Sequence, residues 1–273
     1  MNNLHRQFAL NGKIAVITGG GGLLGAQHAE AIAQAGGVPV LWDIRDKEIN
    51  QISKKIKNMY KIPCSGMQID ITDPAEVETG LKHILDSFKR IDILINNASN
   101  NPKISGLNAS RIENFSLDSW MDDLNVGLTG AFICSKAIGS YMARHRGGVI
   151  LNISSDLGVI APDQRIYRKE GLADDEQPVK PVTYSVVKHG IIGLTKYLAT
   201  YWAEKNIRVN SISPGGVYDN QPDEFVQKLI KRIPIGRMAN ADEYRAAIVF
   251  LVSDASSYMT GGNLIIDGGR TCW

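Results

Sequence analysis

Short apolar runs recur along most of the chain, and stretches with helical periodicity separate them. An apolar run without polar alternation indicates a strand that is buried on both faces, and strands separated by helices indicate a parallel sheet. Right-handed crossovers then place helices on both faces of that sheet. The sequence therefore predicts an α/β fold with a doubly wound parallel sheet. The predicted strands cover residues 14–17, 38–42, 91–95, 149–153, 206–212 and 264–266, and residues 68–71 end a further strand.

Composition excludes several classes of protein. The chain has 273 residues, of which 44% are hydrophobic and 21% charged, and it is long enough to bury most of its apolar surface. A net charge of +2 without long basic runs argues against a nucleic-acid partner. The absence of a twenty-residue apolar segment and of a signal peptide predicts a soluble, cytoplasmic protein. Cys64, Cys134 and Cys272 are odd in number and far apart, which favours a reducing compartment and argues against a metal site.

A glycine cluster follows the first predicted strand and precedes the first predicted helix. It reads T-G-G-G-G-L-L-G over residues 18–25. Glycines permit a tight turn and a close approach of the backbone to a pyrophosphate, whose charge the helix N-terminus stabilises. A plain turn explains glycines alone equally well, but the strand–loop–helix context favours a dinucleotide site in a Rossmann-type fold. The residues predicted to contact the cofactor here are Gly19, Gly22, Leu23, Leu24 and Gly25.

Asp43 ends the second predicted strand. A carboxylate at this position accepts hydrogen bonds from the adenosine ribose hydroxyls and repels a 2′-phosphate, so NAD is the predicted cofactor. Two features weigh against this interpretation. Arg45 is a nearby cation that would favour NADP, and the less favoured alternative role of Asp43 is to cap the next helix.

Tyr184 and Lys188 stand at positions i and i+4 and therefore share one face of a predicted helix. A nearby ammonium stabilises a phenolate and lowers the pKa of the tyrosine toward a range useful for proton transfer. Tyr201 and Lys205 repeat the spacing. Only the first pair, however, follows a strand that ends in N-I-S-S over residues 152–155, which brings a hydroxyl to the same crevice. We therefore predict the active site at Tyr184 and Lys188.

Taken together, these motifs resemble the short-chain dehydrogenase/reductase family over essentially the whole chain. Further motifs carry the resemblance in the family's order. Asp70-Ile71 resembles its adenine-contacting pair, and Asn96-Asn97-Ala98-Ser99 resembles its N-N-A-G signature with serine replacing glycine. Asn125 matches its relay asparagine, and Ser155 matches its catalytic serine. Pro214-Gly215 matches its nicotinamide-side turn, and Asp267-Gly268-Gly269 resembles its closing motif.

The resemblance implies a role for each catalytic residue. Tyr184 would be the general acid or base, and Lys188 would lower its pKa and bind the nicotinamide ribose. Ser155 would hydrogen-bond the reacting oxygen, and Asn125 would hold a water that relays the proton. It also implies a homo-oligomer, either tetramer or dimer. The remaining implied cofactor contacts are Asp70, Ile71, Asn97, Ala98, Pro214, Gly215 and Val217.

Three departures from the family pattern stand out. Leu23 replaces the glycine or alanine of the compact branch, and the resulting spacing resembles an extended branch that contains nucleotide-sugar epimerases and dehydratases. The N-N-A and D-G-G motifs nevertheless favour the compact branch. Asp219 stands where a threonine commonly contacts the carboxamide of the nicotinamide. The number of residues between Ser155 and Tyr184 is about twice the usual number.

The extra residues, 156–182, contain ten charged residues and three prolines, and we interpret them as a loop inserted into a single domain, 1–273. Because catalytic residues flank the loop, it must emerge beside the substrate. It is either a lid whose cations bind a phosphate or carboxylate, or a solvated or subunit-contacting loop whose acidic residues balance the charge. Its predicted substrate contacts are Arg165, Arg168 and Lys169, and it also carries Tyr167 and Lys180.

The predicted function is the interconversion of a secondary alcohol and a ketone by NAD-dependent hydride transfer. The insert, the P-G-G-V-Y stretch and the loop variant resemble bacterial enzymes of sugar and flagellin-glycan metabolism, which favours a sugar, a polyol or a sugar derivative as substrate. The alternatives are an epimerase or dehydratase of a nucleotide sugar that retains its NAD, and a non-catalytic cofactor-binding regulator. The presence of Ser155, Tyr184 and Lys188 disfavours the regulator.

Overall fold

The computed structural model describes residues 3–100 and 108–273, which form one sheet of seven parallel strands with helices on both faces. The predicted doubly wound fold is therefore confirmed. Neighbouring strands follow the order β3-β2-β1-β4-β5-β6-β7, so the order reverses at β1. The strands are β1 (Ile14–Thr18), β2 (Val38–Asp43), β3 (Ser65–Gln68), β4 (Ile93–Asn96), β5 (Gly148–Ile153), β6 (Ile207–Pro214) and β7 (Asn263–Ile266).

The helices connect successive strands. Between α5 and α6, the residues Asn125–Thr129 form a π-helical turn within an otherwise continuous helical path. The helices are α1 (Asn3–Phe8), α2 (Leu23–Gln34), α3 (Asp46–Tyr60), α4 (Pro74–Phe88), α5 (Leu117–Leu124), α6 (Gly130–Arg144), α7 (Val182–Tyr201), α8 (Asp223–Ile230) and α9 (Arg245–Val252).

Two apolar cores, one on each face of the sheet, explain why the strands show no polar alternation. In β1, Ile14 and Val16 pack into the core that contains α4, α6 and α7. Ala15 and Ile17 pack into the opposite core, with α2, α3 and α9. Because successive side chains of a strand point to opposite faces, both sets must be apolar when both faces are covered.

The third strand ends earlier than the sequence predicts. Residues 68–71 were expected to finish it, but β3 ends at Gln68. Asp70 turns the chain away from the sheet, because its carboxylate accepts hydrogen bonds from the N–H of Thr72 (2.8 Å) and from its hydroxyl (2.7 Å). Asp73 then caps α4 by accepting a hydrogen bond from the N–H of Ala75. The predicted cofactor residues Asp70 and Ile71 therefore lie in a loop.

The inserted residues, 156–182, fold onto the helix α8 region. Ile166 is buried in a small apolar cluster with Leu229, Ile233 and Met238. The ring of Tyr167 lies 5.5 Å from that of Phe225, measured between centroids. The insert is therefore packed against the region of α8 by apolar side chains.

His28 makes the stability of the fold sensitive to acid. It lies on α2 and is fully buried, and burial lowers its pKa to about 4. The unfolded histidine binds a proton near pH 6.5, so the unfolded state binds more protons between pH 6.5 and 4, and stability falls as the pH falls through that window. We expect the stability advantage of His28→Leu over the wild type to grow by up to about 1.4 kcal/mol per pH unit in this range. Urea denaturation at pH 7 and pH 5 measures it.

The matched control is His83→Leu, which changes an exposed histidine on α4. Its difference from the wild type should stay constant between the two pH values. An equally constant difference for His28→Leu would show that His28 is not buried in its neutral form.

Candidate active site

A cleft of about 950 Å³ lies at the carboxyl ends of the strands, beside the point where the strand order reverses. In doubly wound sheets this crevice is the usual site of ligand binding. Ser155 lines the cleft together with all the residues predicted to contact a cofactor. These are Gly19, Gly22, Leu23, Leu24, Gly25, Asp43, Asp70, Ile71, Asn97, Ala98, Tyr184, Lys188, Pro214, Gly215 and Val217.

The glycine loop forms a tight cradle at one side of the cleft. Gly19 has a φ of +63°, a conformation that side chains with a Cβ rarely adopt. A Cβ on Gly25 would lie only 2.2 Å from the carbonyl oxygen of Gly19, so the loop can pass over α2 only with glycine there. The first N–H groups of α2 have no partners within the helix. This cradle fits the pyrophosphate of a dinucleotide.

The N-N-A motif fastens the glycine loop to the end of β4. The side-chain amide of Asn97 donates hydrogen bonds to the carbonyl oxygens of Thr18 (3.0 Å) and Gly19 (3.2 Å). The N–H groups of Asn97 and Ala98 donate to the hydroxyl of Thr18, at 3.0 and 3.1 Å. The motif therefore shapes the cofactor site as well as lining it.

Asp43 lines the cleft beside the glycine loop and is almost fully buried. Its carboxylate accepts hydrogen bonds from the N–H of Gly21 (2.9 Å) and from Nε and Nη2 of Arg45 (3.0 Å each). Burial would raise the pKa of Asp43, but the hydrogen bonds from Arg45 and Gly21 hold it below its usual range. Asp43 does not cap α3, because that helix begins at Asp46.

Three of the four predicted catalytic residues, Ser155, Tyr184 and Lys188, meet at the other end of the cleft. Lys188 is buried, and its ammonium donates a hydrogen bond to the carbonyl oxygen of Ile153 (3.1 Å). The hydroxyl of Ser154 donates to the carbonyl oxygen of Lys188 (2.7 Å). These two bonds join the end of β5 to α7, so that Ser155 and Tyr184 line the same part of the cleft.

The electrostatics differ from the prediction for Tyr184. Burial raises its pKa, and the hydroxyl of Ser155 and the charge of Arg270 act in the opposite direction. Lys188, which was expected to lower this pKa, lies 5.8 Å from the ring centroid and is directed to a backbone carbonyl instead. Burial and the charge of Lys180 lower the pKa of Lys188 itself to about 8.

Comparisons with known proteins agree with this geometry. Residues 13–167 match the family described as short chain dehydrogenase, and residues 173–271 match the one described as Enoyl-(Acyl carrier protein) reductase. The chain belongs to the short-chain dehydrogenase/reductase family. It is therefore an oxidoreductase of a family that binds a nicotinamide cofactor.

The similarity extends over nearly the full length of individual relatives. D-threitol dehydrogenase of Mycolicibacterium smegmatis is 32% identical, with 97% of this chain and 95% of the relative covered. NAD-dependent glycerol dehydrogenase of Listeria innocua is also 32% identical, with 97% and 96% covered. The fold is also similar to a crystal structure of a gluconate 5-dehydrogenase from Burkholderia cenocepacia in complex with NADP and tartrate, with a TM-score of 0.85. The two sequences are 26% identical, and the match covers 99% of this chain and 100% of the other.

The predicted substrate residues of this short-chain dehydrogenase do not line its cleft. Arg165 is exposed, and its Nε donates to the carboxylate of Asp163 at 2.8 Å. Arg168 pairs with Asp174 at 3.2 Å, and Lys169 is exposed. The acidic residues of the insert, which the sequence suggested only as balancing charges, hold the two arginines on its outer surface.

Four other side chains shape the substrate end of the cleft. The hydroxyl of Ser155 donates to Asp156 (2.8 Å), and Asp156 forms a buried ion pair with Arg270 (2.6 Å). The ammonium of Lys180 lies 3.8 Å from the ring centroid of Tyr184. Tyr167 completes this end. Asp156 directly follows Ser155 and Arg270 directly follows the D-G-G motif, so adjacency to known motifs was the signal that could have identified both.

Arg270 reaches the site because the D-G-G turn holds it there. The carboxylate of Asp267 accepts hydrogen bonds from the N–H groups of Gly269 (2.9 Å) and Thr271 (2.7 Å). A Cβ on Gly215 would lie 2.7 Å from the Cα of Asp267. The P-G turn after β6 therefore needs glycine at this position, because any side chain would collide with the backbone of Asp267. The closing motif therefore positions the charge of Arg270 near Ser155, through Asp156.

Asn125 and Tyr201 lie outside the cleft lining. Asn125 is half-buried at the start of the π-helical turn, where its carbonyl oxygen accepts the N–H of Gly130, and the cleft is lined by the next residue, Val126. Its role in proton relay stays a prediction. Tyr201 is 65% exposed and stacks on Tyr197 at 5.8 Å, so the repeated tyrosine–lysine spacing marks no second site.

Hydrogen bonds to Asp123 fix the start of α7, the helix that carries Tyr184 and Lys188. The buried carboxylate of Asp123 accepts hydrogen bonds from the hydroxyl of Thr183 and from the amide of Asn100. Thr183 directly precedes Tyr184. These hydrogen bonds therefore tie α7 to α5 and to the segment that follows β4.

Within residues 3–100 and 108–273, no group of three or more His, Cys, Asp or Glu side chains is arranged to hold a metal ion. In the same residues, no helix combines the length and apolarity needed to cross a bilayer.

Lys188 is expected to reduce stability at neutral pH. Its folded-state pKa of about 8 lies below that of an unfolded lysine, so the buried ammonium costs free energy below pH 8, and this cost disappears as the pH rises from 8 toward 10.5. We expect Lys188→Met to be more stable than the wild type at pH 7, by up to about 3 kcal/mol, and this advantage to shrink at pH 9.5. Chemical denaturation at both pH values measures it.

Lys169→Met, on the exposed surface of the insert, is the control and should change stability at neither pH. A Lys188→Met variant that is less stable than the wild type at pH 7 would show that the hydrogen bond to Ile153 outweighs the cost of burial.

Proposed function

We propose that the protein is an NAD-dependent dehydrogenase that interconverts a secondary alcohol and a ketone on a polyol, a sugar or a sugar derivative. The observation that carries the proposal is that Ser155, Tyr184 and Lys188 line the same cleft as the glycine loop. The names of the relatives, which act on D-threitol, glycerol and gluconate, support the choice of substrate class.

The residues of the cleft divide the chemistry between them. A bound nicotinamide accepts or supplies the hydride. Tyr184 takes the proton of the alcohol during oxidation and returns it to the oxygen during reduction. Ser155 hydrogen-bonds that same oxygen, and Lys188 contributes positive charge behind the tyrosine. The glycine loop, the α2 N-terminus and Asp43 would hold the rest of the dinucleotide.

The pairing of Asp43 with Arg45 supports a preference for NAD. Nε and Nη2 of Arg45 both bind the carboxylate, so the arginine is already committed to a partner. A 2′-phosphate that attracted Arg45 would leave a buried carboxylate without its cation, and such unpairing is costly.

We expect kcat/KM to be at least about tenfold higher with NAD than with NADP, because repulsion of the phosphate and the committed Arg45 act together. Asp43→Asn should reduce this ratio by removing the charge. Steady-state kinetics with both cofactors measures the ratio. A tenfold preference of the wild type for NADP would mean that Arg45 sets the selectivity.

The reaction itself is tested by a screen of polyols, sugars and their acids and phosphates, with NAD reduction as the readout. With a compound that is oxidised, Tyr184→Phe should lower kcat by about 10²–10⁴-fold, because only the hydroxyl that transfers the proton is removed. Binding of NAD should be nearly unchanged. Tyr201→Phe is the matched control, since it lies on the same helix outside the cleft.

A dead Tyr201→Phe variant with an active Tyr184→Phe variant would overturn this placement of the site. Net formation of NADH also separates the proposed dehydrogenase from an epimerase or dehydratase, which would re-reduce its own intermediate.

We further propose that the enzyme is a cytoplasmic homo-oligomer, in the form of a tetramer or a dimer. Large side chains exposed on α6 and α7 support this proposal. These are Phe132, Val186, Tyr197 and Tyr201.

A further inference from the structure

Two cations and one carboxylate surround Tyr184 at the substrate end of the cleft. Arg270 and Asp156 form a buried ion pair, while Lys180 extends from the insert over the ring of Tyr184. All three side chains line the cleft. These three side chains together carry one unit of positive charge, in addition to the ammonium of Lys188, before a ligand enters.

The carboxylate of Asp156 is fully used by other partners. One oxygen accepts hydrogen bonds from the hydroxyl of Ser155 and from the N–H of Leu157, each at 2.8 Å, and the other binds Arg270. Among residues 3–100 and 108–273, Lys180 has no carboxylate within ion-pair distance. Burial lowers its pKa, and the charge of Asp156 only partly offsets this effect. A largely desolvated ammonium without a partner is costly to the fold, and an anion would relieve that cost.

Arg270 adds unused donors at the same place. Of the five N–H groups of its guanidinium, the hydrogen bonds among the described residues use only one, on Nη1. A planar guanidinium and an ammonium facing one space are well suited to a carboxylate or phosphate. The cation of Lys180 also sits beside the ring whose hydroxyl transfers the proton, so the anion would lie close to the reacting carbon.

We propose that Lys180, supported by Arg270, forms a subsite for an oxyanion of the substrate, either a carboxylate or a phosphate, borne close to the alcohol that is oxidised. This inference rests on the proposed dehydrogenase function. It assigns the substrate to the acids or phosphates of sugars and polyols, in preference to neutral polyols.

The other role open to Lys180 is purely structural, as a cation that stacks on Tyr184. The two roles differ in a measurable way. Loss of a structural contact disturbs Tyr184 and weakens the binding of every substrate alike. Loss of an anion contact weakens the binding of anionic compounds only.

The test is calorimetric binding to the NAD-saturated enzyme, using D-gluconate, D-glucitol 6-phosphate and neutral D-glucitol as probes. We expect at least one of the two anions to bind the wild type about tenfold or more tightly than D-glucitol does. Lys180→Met should raise the Kd of that anion by about tenfold or more and leave that of D-glucitol within about twofold. Whichever anion responds identifies the carboxylate or the phosphate as the ligand.

Two further variants make the result specific. Lys180→Arg keeps the charge and should retain anion binding, which also shows that the insert still folds. Lys169→Met removes an exposed lysine of the same loop and should change none of the three Kd values. The proposal is overturned if neither anion binds more tightly than D-glucitol, or if Lys180→Met raises all three Kd values equally.

Turnover is followed in parallel, so that the two proposals fail separately. An enzyme that binds an anion through Lys180 but reduces NAD with no alcohol would disprove the dehydrogenase function alone. Oxidation of D-glucitol with undiminished efficiency in Lys180→Met, together with no preference for either anion, would disprove the subsite alone.

Discussion

All seven strands run in the same direction, and this constraint places their carboxyl ends at one edge of the sheet. The glycine loop follows β1, Asp43 ends β2, Asn97 follows β4 and Ser155 follows β5. These segments are far apart in the sequence, yet the strand order brings them to one cleft. The two apolar cores keep the sheet fixed, so the positions of the polar residues depend on packing well below the site.

Charged side chains are buried at the end of the cleft that contains Tyr184. Lys188 is buried with a lowered pKa, and Asp156 and Arg270 form a buried ion pair. Breaking such a pair by removing one partner typically costs about 3–5 kcal/mol. The arrangement thus holds Ser155 firmly, through the hydroxyl that donates to Asp156. Burial of Lys188 lowers the stability of the fold, but it keeps an ammonium close to Tyr184.

The sheet and most of the cleft lining were predictable because they depend on local patterns. Apolar runs identify buried strands, and their ends identified the glycine loop and Asp43. The resemblance to the family supplied Asp70, Asn97 and Pro214-Gly215. The substrate end was not predictable in the same way. Arg165 and Arg168 form ion pairs with acidic residues of their own loop and do not line the cleft. Arg270 lines it through an ion pair with Asp156, a residue far from Arg270 in the sequence. Such pairings follow from the tertiary fold, and no periodicity signals them.

The hydrogen bond between Asp123 and Thr183 has a consequence for the insert that precedes it in the chain. It holds the first turn of α7 against α5, so changes in the length of the insert need not shift Tyr184. An unusually long separation between the catalytic serine and tyrosine is therefore tolerated here. A longer or shorter insert would therefore move the part of the cleft lining that contains Tyr167 and Lys180, while this hydrogen bond keeps Tyr184 in place.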